Sequence, residues 1–310
     1  MKLDITLQTQ SYIAQFDTCA GAVCYRLYYK PTASEILRTP HTEEELETNR
    51  FLFGNPILFP PNRIRGGSFT FEGRQYDFPV NEPETGSHLH GELYRLPFEA
   101  EALSKDRASF IYRANEGEYL GFPHAFQVRR DYALTDEGGL KETTEIYNCS
   151  ELNMPVMLAY HTTFRIPLCD GGHPEDCLLT LPVRRLHKRD KHFLPTCEYE
   201  DGELCEMLRN GTLVPCEHTI SAFFKANGDT MRIYDREKKL SVEYRTQGFG
   251  YWMLYNGGNR DFLVVEPQTC AIDAFHIDLP YSQAGVISLP PHKKISFVTN
   301  IAVQNQIDIS

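Results

Sequence analysis

Apolar and polar residues alternate along much of this chain, and a period of two predicts β-strands that bury one face. In Phe126-Gln127-Val128-Arg129-Arg130-Asp131-Tyr132-Ala133-Leu134 the residues Phe126, Val128, Tyr132 and Leu134 share a face, and the opposite face is mostly polar. Leu240, Val242 and Tyr244 stand in the same way against Ser241, Glu243 and Arg245, and Ile295, Phe297, Ile301 and Val303 repeat the pattern near the C-terminus. Turn chemistry separates such runs at Glu72-Gly73, at Asp136-Glu137-Gly138-Gly139 and at Asn227-Gly228-Asp229, each of which predicts a hairpin tip. Helical periodicity is scarce. The one predicted helix is the short acidic stretch Glu43-Glu44-Glu45-Leu46-Glu47 with Thr42 as its N-cap.

Many strands spaced by turns, without amphipathic helices between them, predict an all-β protein built as a large antiparallel β-sandwich rather than a doubly wound α/β fold. No Ser/Gly/Pro-rich linker, fixed repeat or low-complexity segment divides the 310 residues, so a single domain over 1–310 is expected. The 41% hydrophobic content is enough for a substantial core.

A formal charge of −11 argues against nucleic-acid binding, which needs an excess of lysine and arginine. The local basic cluster of Arg184, Arg185, Lys188, Arg189 and Lys191 is interrupted by His187, Asp190 and His192 and reads as a solvated loop, with no partner assigned. Nine cysteines, an odd number without a C-x-x-C pair, read mostly as reduced thiols. The N-terminus lacks the apolar core of a secretion signal and no stretch is long enough to cross a bilayer, so no membrane association and a cytoplasmic location are expected. Monomer and homodimer both stay open.

Four residues carry candidate chemistry. His161, in Leu158-Ala159-Tyr160-His161-Thr162-Thr163-Phe164-Arg165-Ile166, shares a strand face with Ala159, Thr163 and Arg165, small or polar neighbours that leave room for a ligand. It reads either as a surface histidine or as an acid–base group. Glu266 follows Phe262-Leu263-Val264-Val265, a run apolar on both faces and therefore a central strand, and precedes Pro267. It is either a partly buried base with a raised pKa or an ion-paired strand terminus. Arg63 offers several fixed donors and His90 can donate or accept, which suits both to holding a polar ligand. His88-Leu89-His90 with Glu92 admits a metal-site reading, but the spacing departs from the cupin pattern, so no metal is assigned. Trp252, in Gly250-Tyr251-Trp252-Met253-Leu254-Tyr255-Asn256, is a candidate for stacking on the apolar face of a ligand, which the family resemblance described next implies to be a sugar, with core packing as the alternative.

In order and context, Asn62-Arg63-Ile64-Arg65-Gly66-Gly67-Ser68-Phe69 running on to His88-Leu89-His90-Gly91, then Ala159-Tyr160-His161, then Val264-Val265-Glu266-Pro267-Gln268 resemble the aldose 1-epimerase (galactose mutarotase) family, almost to the C-terminus. The resemblance implies a galactose mutarotase-like supersandwich with sugar on a concave sheet surface and an isomerase that interconverts α and β anomers of a hexose. It implies Glu266 as base on the C1 hydroxyl, His161 as acid to the ring oxygen, and Arg63 and His90 as sugar-binding groups, with no cofactor. Two departures stand out. The aspartate that many members carry just before the segment matching Ser221-Ala222-Phe223-Phe224 is missing, with only Glu217 or His218 nearby, and Tyr160-His161-Thr162-Thr163-Phe164 differs from the Asn-His-x-Tyr-Phe-Asn pattern. Two alternatives accompany this reading: a mutarotase for phosphorylated sugars using Arg65 or Arg74, and a sugar-binding protein without catalysis.

Overall fold

The alternating segments do form strands, and the computed structural model, which describes residues 3–305, arranges most of them in two large antiparallel sheets. The first runs in the spatial order Glu99–Leu103, Arg107–Ala114, Phe126–Thr135, Gly139–Asn148, Lys294–Asn305, Leu240–Gln247, Thr230–Asp235 and Cys177–Thr180. The second runs Pro195–Glu200, Val183–Arg189, Ser221–Ala226, Tyr251–Tyr255, Phe262–Gln268, Ala159–Tyr160 and Ile57–Leu58, with Thr162–Arg165 also paired to Phe262–Gln268. A four-stranded sheet formed by Ile5–Gln8, Tyr12–Asp17, Val23–Tyr29 and Ser34–Glu35 packs beside them.

The two large sheets face each other through their apolar sides, as a β-sandwich requires. The Tyr244 ring meets Phe164 at 5.6 Å and Trp252 at 6.3 Å, and Phe249 meets Phe297 at 5.6 Å. Polar groups caught in this layer are paired across it: Tyr160 Oη donates to Thr144 Oγ1 at 2.6 Å, and the Thr162 and Tyr244 hydroxyls lie 3.0 Å apart. Phe126, Val128, Tyr132 and Leu134 are buried on one face as their alternation predicts, and so are Leu240, Val242, Tyr244, Phe297, Ile301 and Val303, whereas Ile295 is half-buried.

Arg130 lies on that same apolar face and is fully buried. Its Nε donates to Glu142 Oε1 at 2.7 Å on the neighbouring strand, its Nη1 reaches the Gly21 and Ala22 carbonyls, and its Nη2 reaches the Asn55 carbonyl at 3.4 Å. Asn55 completes the knot by donating to Glu142 Oε2 at 3.0 Å and accepting the Cys24 N–H at 2.9 Å. The ion pair thereby ties the first sheet to the N-terminal sheet and to the segment that leads into Ile57–Leu58.

The short helix forms where Thr42 predicts it, over Glu43–Asn49, with a capping box in which Glu45 N donates to Thr42 Oγ1 while the Glu45 carboxylate accepts the Thr42 N–H. A 3-10 turn, Arg50–Leu52, continues it and carries Phe51. A second helix, Glu203–Asn210, was not expected. Among the described residues no helix is long and apolar enough to cross a membrane.

Two turn readings hold and one does not. Glu72-Gly73 joins Ser68–Phe71 to Arg74–Asp77, and Asp136–Gly138 joins Phe126–Thr135 to Gly139–Asn148, both as hairpins. Asn227-Gly228-Asp229 instead carries the chain from Ser221–Ala226 in one large sheet to Thr230–Asp235 in the other. Asn227 N donates to the Pro182 carbonyl at 2.8 Å, a crossover anchor that turn composition does not encode. The basic cluster is likewise not a loop, because Val183–Arg189 is a strand of the second sheet.

Replacing Arg130 by methionine leaves the Glu142 carboxylate buried without its counter-charge, and urea unfolding should show a loss of about 3–5 kcal/mol. The double replacement Arg130→Met with Glu142→Leu should recover a substantial part of that loss.

Candidate functional site

Phe262–Gln268 is buried along its whole length, in keeping with its apolar composition, and Glu266 stands within it rather than at its end, since pairing continues to Gln268. Thr162 pairs with Val265 and Ala159 with Gln268, so the same register sets His161 directly across from Glu266. His161 interrupts its own strand, between Ala159–Tyr160 and Thr162–Arg165, and gives its backbone N–H to the Pro56 carbonyl at 2.9 Å. The two side chains meet, with His161 Nε2 3.5 Å from Glu266 Oε1. Each is nearly sealed from solvent, at 8% and 3% side-chain exposure. These positions exclude the surface reading of His161 and the strand-terminus reading of Glu266.

Burial disfavours charge on both groups. The Glu266 carboxyl is pushed up to about 8 by loss of solvent, against the downward pull of the Gln268 amide, which donates to Oε2 at 3.0 Å, and of Arg189 and Arg63. The His161 imidazole is pushed down to about 4 by the same loss of solvent, partly offset by the nearby Phe51 backbone. Near neutral pH the pair therefore holds one proton.

Arg63 and His90 reach the same place from a small ribbon. Arg63–Arg65 pairs with Ser87–Leu89, Arg63 opposite Leu89, which brings His90 to the Asn62 end. Asn62 and His90 are locked reciprocally: His90 N donates to the Asn62 carbonyl at 3.0 Å, and Asn62 N donates to His90 Nδ1 at 3.3 Å. Nδ1 thus accepts, and in the neutral ring Nε2 carries the hydrogen. Burial, followed by the charges of His161, Arg63 and His88, holds the His90 imidazole well below its usual range. The chain turns here through two left-handed residues, His90 at φ 67° and Gly91 at φ 64°. Gly91 admits no side chain, since a Cβ would stand 2.0 Å from the Phe59 carbonyl oxygen. Arg63 is held by both oxygens of Glu82, Nε to Oε2 at 2.6 Å and Nη2 to Oε1 at 2.7 Å.

All four expected residues line one cavity of about 320 Å³, within the size range of small-molecule sites. Sequence reasoning missed several of its other walls. Phe51 packs against His90 at 4.7 Å and His161 at 5.6 Å, its carbonyl held by Thr163 Oγ1 at 3.1 Å. Phe193, in a turn and 42% exposed, lies between the Arg63 guanidinium at 4.7 Å and that of Arg189 at 5.7 Å. Arg189, read as part of a solvated cluster, comes off its strand end into the cavity and donates to the carbonyl and Oγ of Ser221. The available signal was its place just before the Asp190–Phe193 turn. Glu82 had no signal beyond its position in a Pro/Gly-containing loop.

Trp252 turns the other way. In Tyr251–Tyr255, Met253 and Tyr255 face the cavity, so alternation sends Trp252 into the layer between the sheets, where its indole N–H donates to the Gly228 carbonyl at 3.3 Å. The sugar-stacking expectation for Trp252 is thereby corrected to core packing. Neither Glu217 nor His218 lines the cavity, whose wall there is Ser221. Arg65 pairs with Asp273 at 3.2 Å and Arg74 with Glu116 at 3.3 Å, both outside the cavity. His88 donates from Nδ1 to the Pro79 carbonyl at 2.7 Å and packs on Phe78, whereas His90 lies past the strand end, so the two imidazoles share no strand face. Among the described residues no three His, Cys, Asp or Glu side chains converge to hold a metal ion.

Residues 18–302 match the model of the aldose 1-epimerase family. The Escherichia coli K12 protein YihR is 26% identical over 265 residues, 82% of this chain and 80% of that one. A galactose mutarotase-like protein from Clostridium acetobutylicum superposes with a TM-score of 0.89 at 28% identity, covering 97% of this chain and 95% of the other. The fold is shared with galactose 1-epimerase from Lactobacillus acidophilus at a TM-score of 0.77 and 16% identity, over 97% and 94% of the two chains. With a mutarotase-like sandwich and a match that spans nearly its whole length, this chain belongs to the aldose 1-epimerase family.

Proposed function

We propose that this protein interconverts the α and β anomers of a hexose by acid–base ring opening and reclosure. The observation that carries this reading is the approach of His161 Nε2 to Glu266 Oε1, 3.5 Å apart in the wall of a sugar-sized cavity. The C1 hydroxyl and the ring oxygen of a pyranose are bonded to the same carbon. An acid and a base that serve both must therefore be near neighbours, as these two are.

In the forward step Glu266 takes the proton of the C1 hydroxyl while His161 gives one to the ring oxygen, and the C1–O5 bond breaks to leave the open-chain aldehyde. Rotation about C1–C2 presents the other face of the carbonyl, and reversal of both transfers closes the ring. The single proton of the resting pair is sufficient: passing it from carboxyl to imidazole produces the base and the acid without uptake from solvent. His90 Nε2 and the part of the Arg63 guanidinium that Glu82 leaves free supply donors to sugar oxygens. Phe51 and Phe193 provide the apolar walls expected of Trp252. The chemistry requires neither metal nor organic cofactor.

Glu266→Gln should lower kcat for glucose or galactose mutarotation, followed by polarimetry, by about 100-fold or more, and His161→Gln should do likewise. An unchanged rate in either variant would end this reading. The profile of kcat/KM against pH should be bell-shaped, because the one-proton state exists between the two pKa values. The rate falls above about 8, where Glu266 ionises and the pair has no proton to give, and below about 4, where His161 is also protonated and no base remains. Phe193→Ala should raise KM severalfold with a smaller effect on kcat, as measured by initial rates over a range of sugar concentrations.

A further inference from the structure

We propose that the cavity selects aldoses bearing an acidic substituent, and that Arg189 is the residue that binds the anion. This rests on the reading of the cavity as a sugar-epimerising site and adds its substrate class.

Two guanidinium groups line the cavity, and they differ in one respect. Arg63 is neutralised by the two-pronged contact with Glu82. Arg189 has no carboxylate within ion-pair distance among the described residues. Its contacts are the Ser221 carbonyl, Ser221 Oγ at 3.0 Å, Met253 Sδ at 3.8 Å and the Phe193 ring. The two Ser221 contacts occupy Nη2 and the sulfur takes one hydrogen of Nη1, which leaves Nε–H and the other Nη1–H without an acceptor. Arg189 is half-buried, and a cation withdrawn from water is costly to hold without a counter-charge; here burial pulls its pKa down to about 10, so it remains charged at neutral pH. The carboxylate acting on it through space is Glu266, which is itself the reacting group and is kept protonated by burial near neutrality.

The two free hydrogens lie on opposite sides of the guanidinium, so each takes a single oxygen, and the positive charge favours an oxygen of a carboxylate, sulfonate or phosphate over a neutral sugar hydroxyl. Its location suits a substituent on the reacting sugar. Met253, which Arg189 touches, pairs directly with Glu266 in register. Arg189, Met253 and Glu266 all line the same cavity.

Mutarotation of D-glucuronate, D-galacturonate and D-glucose 6-phosphate should be compared with that of D-glucose and D-galactose for the native protein, Arg189→Gln and Arg189→Lys, with binding of the same sugars measured by calorimetry. The native protein should favour at least one acidic sugar over its neutral parent by about tenfold or more in kcat/KM, Arg189→Gln should reduce that ratio by about tenfold or more, and Arg189→Lys should keep part of it. The carboxylate and phosphate arms identify the anion. Preference for the neutral sugars, or an equal loss on acidic and neutral sugars in Arg189→Gln, would overturn the proposal and leave Arg189 as a brace for Ser221. Should no sugar be turned over while an acidic one binds in an Arg189-dependent way, the anion site stands and the epimerase reading falls. Turnover of neutral sugars that ignores Arg189 gives the reverse.

Discussion

The pairing register between Phe262–Gln268 and the 159–165 segment is the constraint on which the site depends. Side chains alternate across a strand, so a slip of one residue would send Glu266 into the sandwich core and a valine into the cavity. Apolar neighbours hold the register. Leu263, Val265 and Phe164 are fully buried, and the hydroxyls of Thr162 and Tyr160 find partners on the opposing sheet. Packing energy spread over two sheets is thus focused on a single contact between a carboxyl and an imidazole. The same burial that fixes their geometry removes solvent from both and moves their proton affinities in opposite directions.

The rest of the cavity is brought to that pair by local backbone devices. The capping box on Thr42 sets the helix whose 3-10 continuation delivers Phe51. The Asn62–His90 lock, closed under Gly91, fixes the hydrogen-bonding sense of one imidazole, and Glu82 fixes the plane of Arg63. Several of these groups are hydrogen-bond donors, suited to a ligand rich in oxygen acceptors. Rigid elements rather than mobile loops supply Glu266, His161, Met253 and Ser221, which is how a site keeps its geometry before a ligand arrives.

Much of this was legible in the sequence. Period-two alternation located the strands of Phe126, Leu240 and Phe297, Thr42 marked its helix, and the four residues His161, Glu266, Arg63 and His90 do share one cavity. What failed to read has physical causes. Asn227-Gly228-Asp229 has the composition of a hairpin but crosses between sheets, because a turn reports local dihedral angles and not the destination of the chain. Nothing local marks Arg130 as one half of a buried ion pair, because its partners, Glu142 and Asn55, come from other segments of the chain. Arg189 was hidden among solvated basic neighbours, and only the approach of Ser221 and Met253 from other strands distinguishes it. Trp252 had the right chemistry for a sugar wall and the wrong parity in its strand.

That parity has an optical consequence. The sole indole of the chain stands between the sheets, across from Pro267 and capped by the Gly228 carbonyl, with its plane steeply inclined to that of Tyr244. Its emission therefore senses whether the two layers stay closed, and the floor of the cavity contributes no such chromophore. Intrinsic fluorescence is in this molecule a gauge of sandwich integrity, whereas occupancy of the cavity has to be followed by other means.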